Sequence, residues 1–346
     1  MNPLPMLSDK TRTQAAACSV LVSVLNWNSA EVTLECLSSL MRIRIEPSVS
    51  VRLVVIDNGS DEADYHRLAD GLDQGRVMLL RQKVNVGFAG GHNVATRIAL
   101  EDGIDFIWLV NSDAVVDADC LSRLVALMQV RPDCGATSPV IVSLGNDAEI
   151  DFCGARHDWG RLECERATSI AEARRWEAET PEAMWLAGTV VLYRVAALKQ
   201  VGMLDERLFA YYEDDEIGAR LAHGGWRSLM TFDAMARHLH PADNMDHRPP
   251  YYFYLMTRNA ILFWLRHTPS TQRRLLHLKL LDRSMYLANI LESKGEHEKA
   301  RACMLGLSDG MLGKSGRPRL ERRVPRIIAL LRRIMMVQHA RHIAAR

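Results

Sequence analysis

Between Cys18 and Val130 the chain alternates four times between a short β-rich run and a helical pattern. Strands are predicted over Cys18–Leu25, Val51–Ile56, Val77–Arg81 and Phe106–Val110. Helices are predicted over Ala30–Leu40, Asp64–Leu72, Gly91–Glu101 (after a glycine-rich loop) and Ala118–Val130. Few folds accept that rhythm. It predicts an α/β architecture, a mostly parallel sheet with helices on both faces. In such sheets ligands bind beyond the carboxyl ends of the strands. The polar clusters Asn26–Asn28, Asp57–Ser60 and Asn111–Asp113 all follow strands, so they should converge on one rim.

Composition narrows the class. Of 346 residues, 48% are apolar, enough for a sizeable core and against global disorder. A net charge of +1 gives no general attraction to nucleic acid. The C-terminal end differs: from Lys299 to Arg346, 12 Lys/Arg face only Asp309 and Glu321. The seven cysteines are scattered, odd in number and without a CxxC pair, which argues against a disulfide framework or a zinc cluster and fits a reducing cytosol. Lys10 and Arg12 before the apolar run Ala15–Leu25 mimic a short signal peptide, but the run ends in Asn26-Trp27-Asn28 without a clear cleavage site and reads as a buried strand. No run reaches the ~18 apolar residues of a membrane span. The stretch 144–182 is irregular and reads as an insertion shaping a second substrate's site. Helical character dominates after Ser270, with a break over Ser308–Pro318 and a last helix whose Ile327, Leu330, Leu331, Ile334 and Met335 recur at helical spacing. The expected division is a tail over 1–16, a catalytic domain over 17–266 and a basic helical extension over 267–346.

Five motifs carry chemistry, and each has a plain structural alternative. Asp113, closing Asn111-Ser112-Asp113 at a strand end, can hold Mg²⁺ or Mn²⁺ beside a diphosphate; strand-end acids are also common turn residues. Asp57-Asn58-Gly59-Ser60 can read a nucleobase N–H or form a simple turn. Asn85 to Asn93, rich in glycine, lets backbone approach a ligand and runs into a helix N-terminus that favours anions. It is neither GxGxxG nor a Walker A loop, which disfavours a dinucleotide-binding dehydrogenase. Glu213-Asp214-Asp215-Glu216 sits among aromatic and apolar residues, where partial burial tunes a carboxylate; acids also suit a helix's first turn. His238 and His240 follow two strand-like runs, Ser228–Phe232 and Ala234–Ala236, and no third soft ligand lies nearby in sequence for zinc.

Taken in order, these elements resemble the family-2 glycosyltransferases of GT-A fold, in the bacterial branch of rhamnosyltransferase-like and galactofuranosyltransferase-like enzymes. The resemblance spans about Ser19 to Arg266 and includes the segment Gly188 to Arg194 and the pair Arg258-Asn259. It implies a GT-A sheet with a C-terminal helical extension. It further implies that Asp57 contacts the donor base, while Asn26, Asn85, Gly87, Asn93 and Asn111 line the donor pocket. Asp113 and His238 would hold a divalent cation, Mg²⁺ or Mn²⁺. Asp214 would be the catalytic base, with Gly188, Glu213, Glu216 and Arg258 on the acceptor side. Three positions depart from the pattern: Asn111 replaces an acid, His92 stands where Asn is frequent, and Glu216 where Asp is.

The implied enzyme is an inverting glycosyltransferase. It moves a sugar, with a lean toward rhamnose from dTDP-rhamnose, from a nucleoside diphosphate sugar to a hydroxyl of a glycan or lipid-linked acceptor in cell-surface polysaccharide synthesis. The rivals are a non-catalytic sugar-nucleotide-binding protein and a nucleotidyltransferase; the latter usually carries a basic glycine-rich N-terminal loop, which Val20–Asn28 lacks. The basic C-terminal helix either packs on the catalytic domain, meets anionic lipid at the inner face of the cell membrane, or joins copies of the chain. A cytoplasmic enzyme, peripheral on that membrane and without nucleic-acid partners, is the expectation.

Overall fold

The structure, a computed structural model, describes residues 18–239 and 247–343; the expected tail over 1–16 and His240 lie outside them. In chain order the first half comprises β1 (Cys18–Asn26), α1 (Ala30–Leu40), β2 (Val49–Asp57), α2 (Glu62–Gly71), β3 (Val77–Arg81), α3 (Gly87–Glu101), β4 (Phe106–Asn111), β5 (Ala114–Val116), α4 (Cys120–Val130) and β6 (Cys134–Ser143). Next come β7 (Asn146–Phe152), β8 (Ala155–Asp158), β9 (Glu163–Arg166), α5 (Ile170–Glu179), β10 (Met184–Trp185), β11 (Val190–Arg194), α6 (Val195–Val201), α7 (Glu213–His223) and β12 (Arg227–His238). The chain then turns helical: α8 (Pro250–His267), α9 (Arg273–Ser293), α10 (His297–Met311) and α11 (Arg326–Ile343).

The main sheet has nine strands in the order β3-β2-β1-β4-β11-β6-β12-β5, with β7 on β6. The pairings make β1, β2, β3, β4, β6 and β12 point one way and β5, β7 and β11 the other. The sheet is therefore mostly parallel, as the α/β rhythm predicts. β1 is apolar on both faces, with Val20, Leu21, Val22 and Val24 buried, as a strand covered on both sides must be. Register sets Asn26 beside Asp57, and Leu25 beside Asn111, so the polar strand ends do share one rim. β5 doubles back against the end of β12, pairing Ala114 with His238, while the Leu239 N–H donates to the Asp113 carbonyl at 2.9 Å. Two residues 125 apart in sequence are thereby set side by side.

Three segments differ from the sequence expectation. The glycine-rich stretch is not a loop before α3 but its first turns, beginning at Gly87. The Asn85 side chain accepts from the Gly87 N–H at 2.8 Å and starts the helix, and Gly91 lets α3 press against β1, where a Cβ would lie 2.3 Å from the Leu25 side chain. The stretch 144–182 is ordered rather than irregular: β7 extends the main sheet, and β10-β8-β9 form a second sheet beside α5. Strands of two to four residues carry too few alternations for the pattern to show. The two strand-like runs near Thr231 are one strand, β12, with a register shift between Thr231 and Met235.

α8, α9 and α10 build a further core around Phe253, Tyr254, Leu255, Leu291, Cys303 and Leu305. Another, around Ile261, Phe263, Trp264, Leu276 and Leu280, takes in Leu162 from the small sheet and Ala219 from α7. The helices are thus packed onto the site-bearing elements. The α11 stripe is split: Leu331 and Met335 face this core, while Ile327, Leu330 and Ile334 are exposed. No described helix is long and apolar enough to cross a membrane. All seven cysteines are free thiols.

Candidate active site

A cleft of about 1190 Å³ opens at the rim where β4, β12, α7 and α8 meet. Asn111, Asp113, Gly188, Glu213, Asp214 and His238 all stand on its wall. On one side His238 is held between two carboxylates: Nε2 lies 3.3 Å from Asp113 Oδ2, and Nδ1 lies 2.8 Å from Asp151 Oδ2. Burial opposes the charged imidazole, but the hydrogen bonds to Asp113 and Asp151 outweigh it and raise its pKa to about 9. A carboxylate on Nδ1 fixes the ring and leaves Nε2 as the ligand nitrogen, a common support for a metal-binding histidine. Beside it, the buried Oδ1 of Asn111 has no hydrogen-bond partner. An orphaned carbonyl oxygen, a carboxylate and a supported imidazole fit Mg²⁺ or Mn²⁺, whose remaining positions go to phosphate oxygens and water.

Opposite lies Asp214 in the first turn of α7. Its Oδ2 accepts from the Gly188 N–H at 3.2 Å and its Oδ1 from the Asp215 N–H at 3.0 Å. Burial, then the neighbouring Asp215 charge, push its pKa up to about 6 despite those bonds. Such a carboxylate is ionised at neutral pH yet basic enough to take a proton. Glu213 is driven well above its ordinary range, first by burial and then by Asp214, and its Oε2 is buried without a partner.

The chain enters α7 through strained backbone. Phe209, Tyr211 and Tyr212 have φ of 68°, 67° and 70°, uncommon for side-chain-bearing residues. α8 holds them there. The Asn259 amide donates to the carbonyls of Leu208, Ala210 and Tyr211 at 2.9, 2.8 and 2.7 Å. Arg258 donates to the Leu208 carbonyl at 2.9 Å and, through Nε, to Asn259 Oδ1, which fixes the amide's direction. Gly87 closes the other side: with φ of +84°, it sits where a Cβ would be 2.3 Å from the Phe209 carbonyl oxygen.

The other expected site residues form the frame rather than the wall. Asn26 is buried and donates to Asp57, Ser60 and Asp64, tying the first two strand ends together. Asp57 is fully buried, with Oδ1 on Asn26 and Oδ2 near the Ser60 N–H and 3.5 Å from Arg81. Asn85 accepts from Asn58 at 3.2 Å, and Asn58 also donates to the Gly87 carbonyl. Asn93 clips α3 to Leu204 and Glu206. Glu216 pairs with Arg220 and Arg266, and Arg258 is buried behind the cleft. The wall also holds Phe88, from the glycine-rich motif, with Tyr252, and it holds Arg166, Trp185 and Arg248, while Asp151 stands behind His238; the sequence pointed to none of these last four. Asp151 left one faint signal: it alternates between Ile150 and Phe152, a period-2 pattern inside a segment that reads as irregular.

Comparison with known proteins agrees with this arrangement. A family model described as glycosyltransferase-like family 2 matches residues 17–259. An N-acetylglucosaminyl-diphospho-decaprenol L-rhamnosyltransferase of Mycobacterium tuberculosis is 24% identical over 236 residues, covering 62% of this chain and 74% of that protein. The galactofuranosyltransferase GlfT1 of the same organism is 27% identical over 199 residues, covering 57% of this chain and 62% of that protein. The crystal structure of GalNAc-T7 with UDP, GalNAc and Mn²⁺ superposes with a TM-score of 0.55 at 17% identity, over 71% of this chain and about half (48%) of that one. The polar strand ends, the Asp214 carboxylate and the Asn111, Asp113 and His238 cluster meet at one rim, and with the family's pattern running through them the chain belongs to glycosyltransferase family 2 and has the GT-A fold.

Proposed function

We propose that the protein is a metal-dependent, inverting glycosyltransferase that uses a nucleoside diphosphate sugar, with dTDP-rhamnose the leading donor, and a hydroxyl of a glycan or lipid-linked acceptor. One observation carries this reading: Asp214, raised to about 6, shares a cleft with the Asn111, Asp113 and His238 cation site. Asp113 and His238 would hold the cation, with Asn111 Oδ1 beside them. A divalent cation held there supplies Lewis-acid stabilisation to the departing diphosphate. Asp214 takes the proton of the acceptor hydroxyl while that oxygen bonds the anomeric carbon and the bond to the diphosphate oxygen breaks. A single displacement inverts the anomeric configuration. Gly188 aims the Asp214 carboxylate, and Glu213, whose proton affinity burial and Asp214 raise, lines the acceptor side of the cleft. Rhamnose is favoured by the likeness to the mycobacterial rhamnosyltransferase, and UDP-sugars come next because Asp57 would serve uracil and thymine alike.

The donor role of Asp57 requires its carboxylate to exchange Arg81 or Asn26 for the base, because both oxygens are engaged. Placement at the inner face of the cell membrane rests on the exposed Ile327, Leu330 and Ile334 of the arginine-rich α11. The deciding experiment is a screen of UDP-, dTDP- and GDP-sugars with Mg²⁺ or Mn²⁺, reading nucleoside diphosphate release with and without acceptor. Release that depends on dTDP-rhamnose and on a divalent cation is expected. Donor binding without release under every condition would favour the non-catalytic alternative.

A further inference from the structure

Outside the oxygen-rich cation site, His157, Cys164 and Asp215 bring three different donor atoms within 4.8 Å of one another. His157 and Cys164 are direct cross-strand partners on β8 and β9, so their side chains leave the same face of the small sheet. Asp215 meets them from α7: its Oδ1 lies 3.3 Å from His157 Nε2 and 3.0 Å from Cys164 Sγ. A tetrahedral zinc with ordinary bond lengths has ligand–ligand edges of about 3.3 to 3.6 Å. The nitrogen–oxygen edge is already that size, and the sulfur–oxygen edge needs only about half an ångström more.

The surroundings suit an ion as well. The imidazole is buried and fixed, stacked on Trp185 at 5.8 Å and packed against Phe263 and Trp159 at 5.0 Å each. That apolar shell strengthens a charge–ligand bond. Cys164 and Asp215 both line the cleft, which gives an ion a route in and leaves a fourth position facing the cavity. Thiolate and imidazole select zinc over magnesium, the reverse of the Asn111–Asp113 preference.

We propose that His157, Cys164 and Asp215 form a second metal site, selective for Zn²⁺, and that filling it switches sugar transfer off. Binding exchanges the thiol proton of Cys164 for a sulfur–zinc bond and releases that proton to solvent, with no redox change. The binding half stands on these residues alone; the inhibitory half rests on Asp214 as the base. Asp215 directly follows Asp214 in the chain, and its N–H donates to Asp214 Oδ1. A cation on Asp215 sets positive charge one residue from Asp214, on the same cleft wall, and it narrows the cleft where an acceptor would approach.

The test uses the full chain, freed of metal and titrated with Co²⁺ as a spectroscopic probe. One equivalent should give a thiolate-to-cobalt charge-transfer band that Zn²⁺ bleaches and excess Mg²⁺ does not. Cys164→Ser should lack the band, and His157→Gln should weaken it at least tenfold in affinity, both with a wild-type circular dichroism spectrum. In a transfer assay saturated with Mg²⁺, micromolar Zn²⁺ should slow the wild type at least tenfold and Cys164→Ser less than twofold. A missing band, or an equal band in Cys164→Ser, would overturn the site. Equal inhibition of both proteins would overturn the switch and place the inhibition at Asp113 and His238. An error in the base assignment shows separately, as retained turnover in Asp214→Asn, and leaves the cobalt band untouched.

Discussion

At the residue scale, the decisive group is a carboxylate whose proton affinity is set by its surroundings. Asp214 stands on the cleft wall between an N–H it accepts from and a carboxylate that repels it, and its pKa is pushed up to about 6. Its ionised fraction therefore grows as pH rises through about 6, and the rate of transfer should climb across the same interval in a pH–kcat profile. Asp214→Asn keeps the shape and removes the base. It should lower kcat by at least a hundredfold, in keeping with general-base contributions of roughly 10² to 10⁴, while donor affinity from calorimetry stays within about threefold. His238 gives a second, independent sign. Its folded pKa lies above its unfolded value, so in metal-free protein it contributes stability that is complete below about 6.5 and lost as pH rises through about 9. Urea melts with EDTA present should show that loss, and His238→Gln should flatten it. EDTA should also abolish transfer, and Mg²⁺ or Mn²⁺ should restore it; full turnover in metal-free buffer would remove the cation from the mechanism.

At the element scale, the loop from Phe209 to Tyr212 is held in a conformation it would not choose. Asn259 is buried, and its amide satisfies three carbonyls of the strained stretch and its entrance. Truncating it removes this donor from the Ala210 and Tyr211 carbonyls, while Arg258 still holds Leu208, at a cost of about 1 to 3 kcal/mol. Asn259→Ala should therefore lower the urea midpoint by a corresponding amount. It should also lower kcat with little change in the apparent affinity for donor, because the loop carries Asp214 and not the cation site. Much of this was legible in the sequence and some was not. Asn26, Asp57 and Asn111 announced the rim because each ends a continuous apolar strand, a local signal. Asp113 was legible as a rim position for the same reason, and His238 only through the family resemblance. Asn26, Asp57, Asn93, Glu216 and Arg258 were legible as positions but not as roles: a polar side chain aimed at a ligand and one aimed at a neighbouring loop look alike in one dimension. Asp151 and Arg166 depend on β7 and β9 folding over the cleft, and no local pattern encodes that approach.

At the scale of the whole molecule, the helices after α8 brace the cleft and present a surface. Arg258 donates to the Gly316 carbonyl, the Gly316 N–H donates to the Arg207 carbonyl, and Arg301 holds the Leu320 and Arg322 carbonyls. The segment up to about residue 324 is thus stitched to the catalytic half, and α11 exposes an apolar stripe of Ile327, Leu330 and Ile334. Ile327→Ser, Leu330→Ser and Ile334→Ser together should reduce sedimentation with vesicles containing anionic lipid at least fivefold, with unchanged turnover on a water-soluble acceptor. Undiminished sedimentation would take the membrane role away from α11. Cutting the chain before residue 314 is a harsher change, since it removes the Gly316 stitches, and it should depress turnover on any acceptor.

The strained loop and its clamp are separated by about fifty residues, and that separation has a consequence for the order in which the protein becomes competent. A ribosome that has released the chain as far as β12 has made every strand of the described main sheet and both expected cation ligands, Asp113 and His238. It has not yet made Arg258 or Asn259. For that interval the nascent chain holds both expected cation ligands but lacks the clamp on the strained loop that leads into Asp214. That loop can reach its final geometry only once α8, made after every strand of the sheet, has arrived.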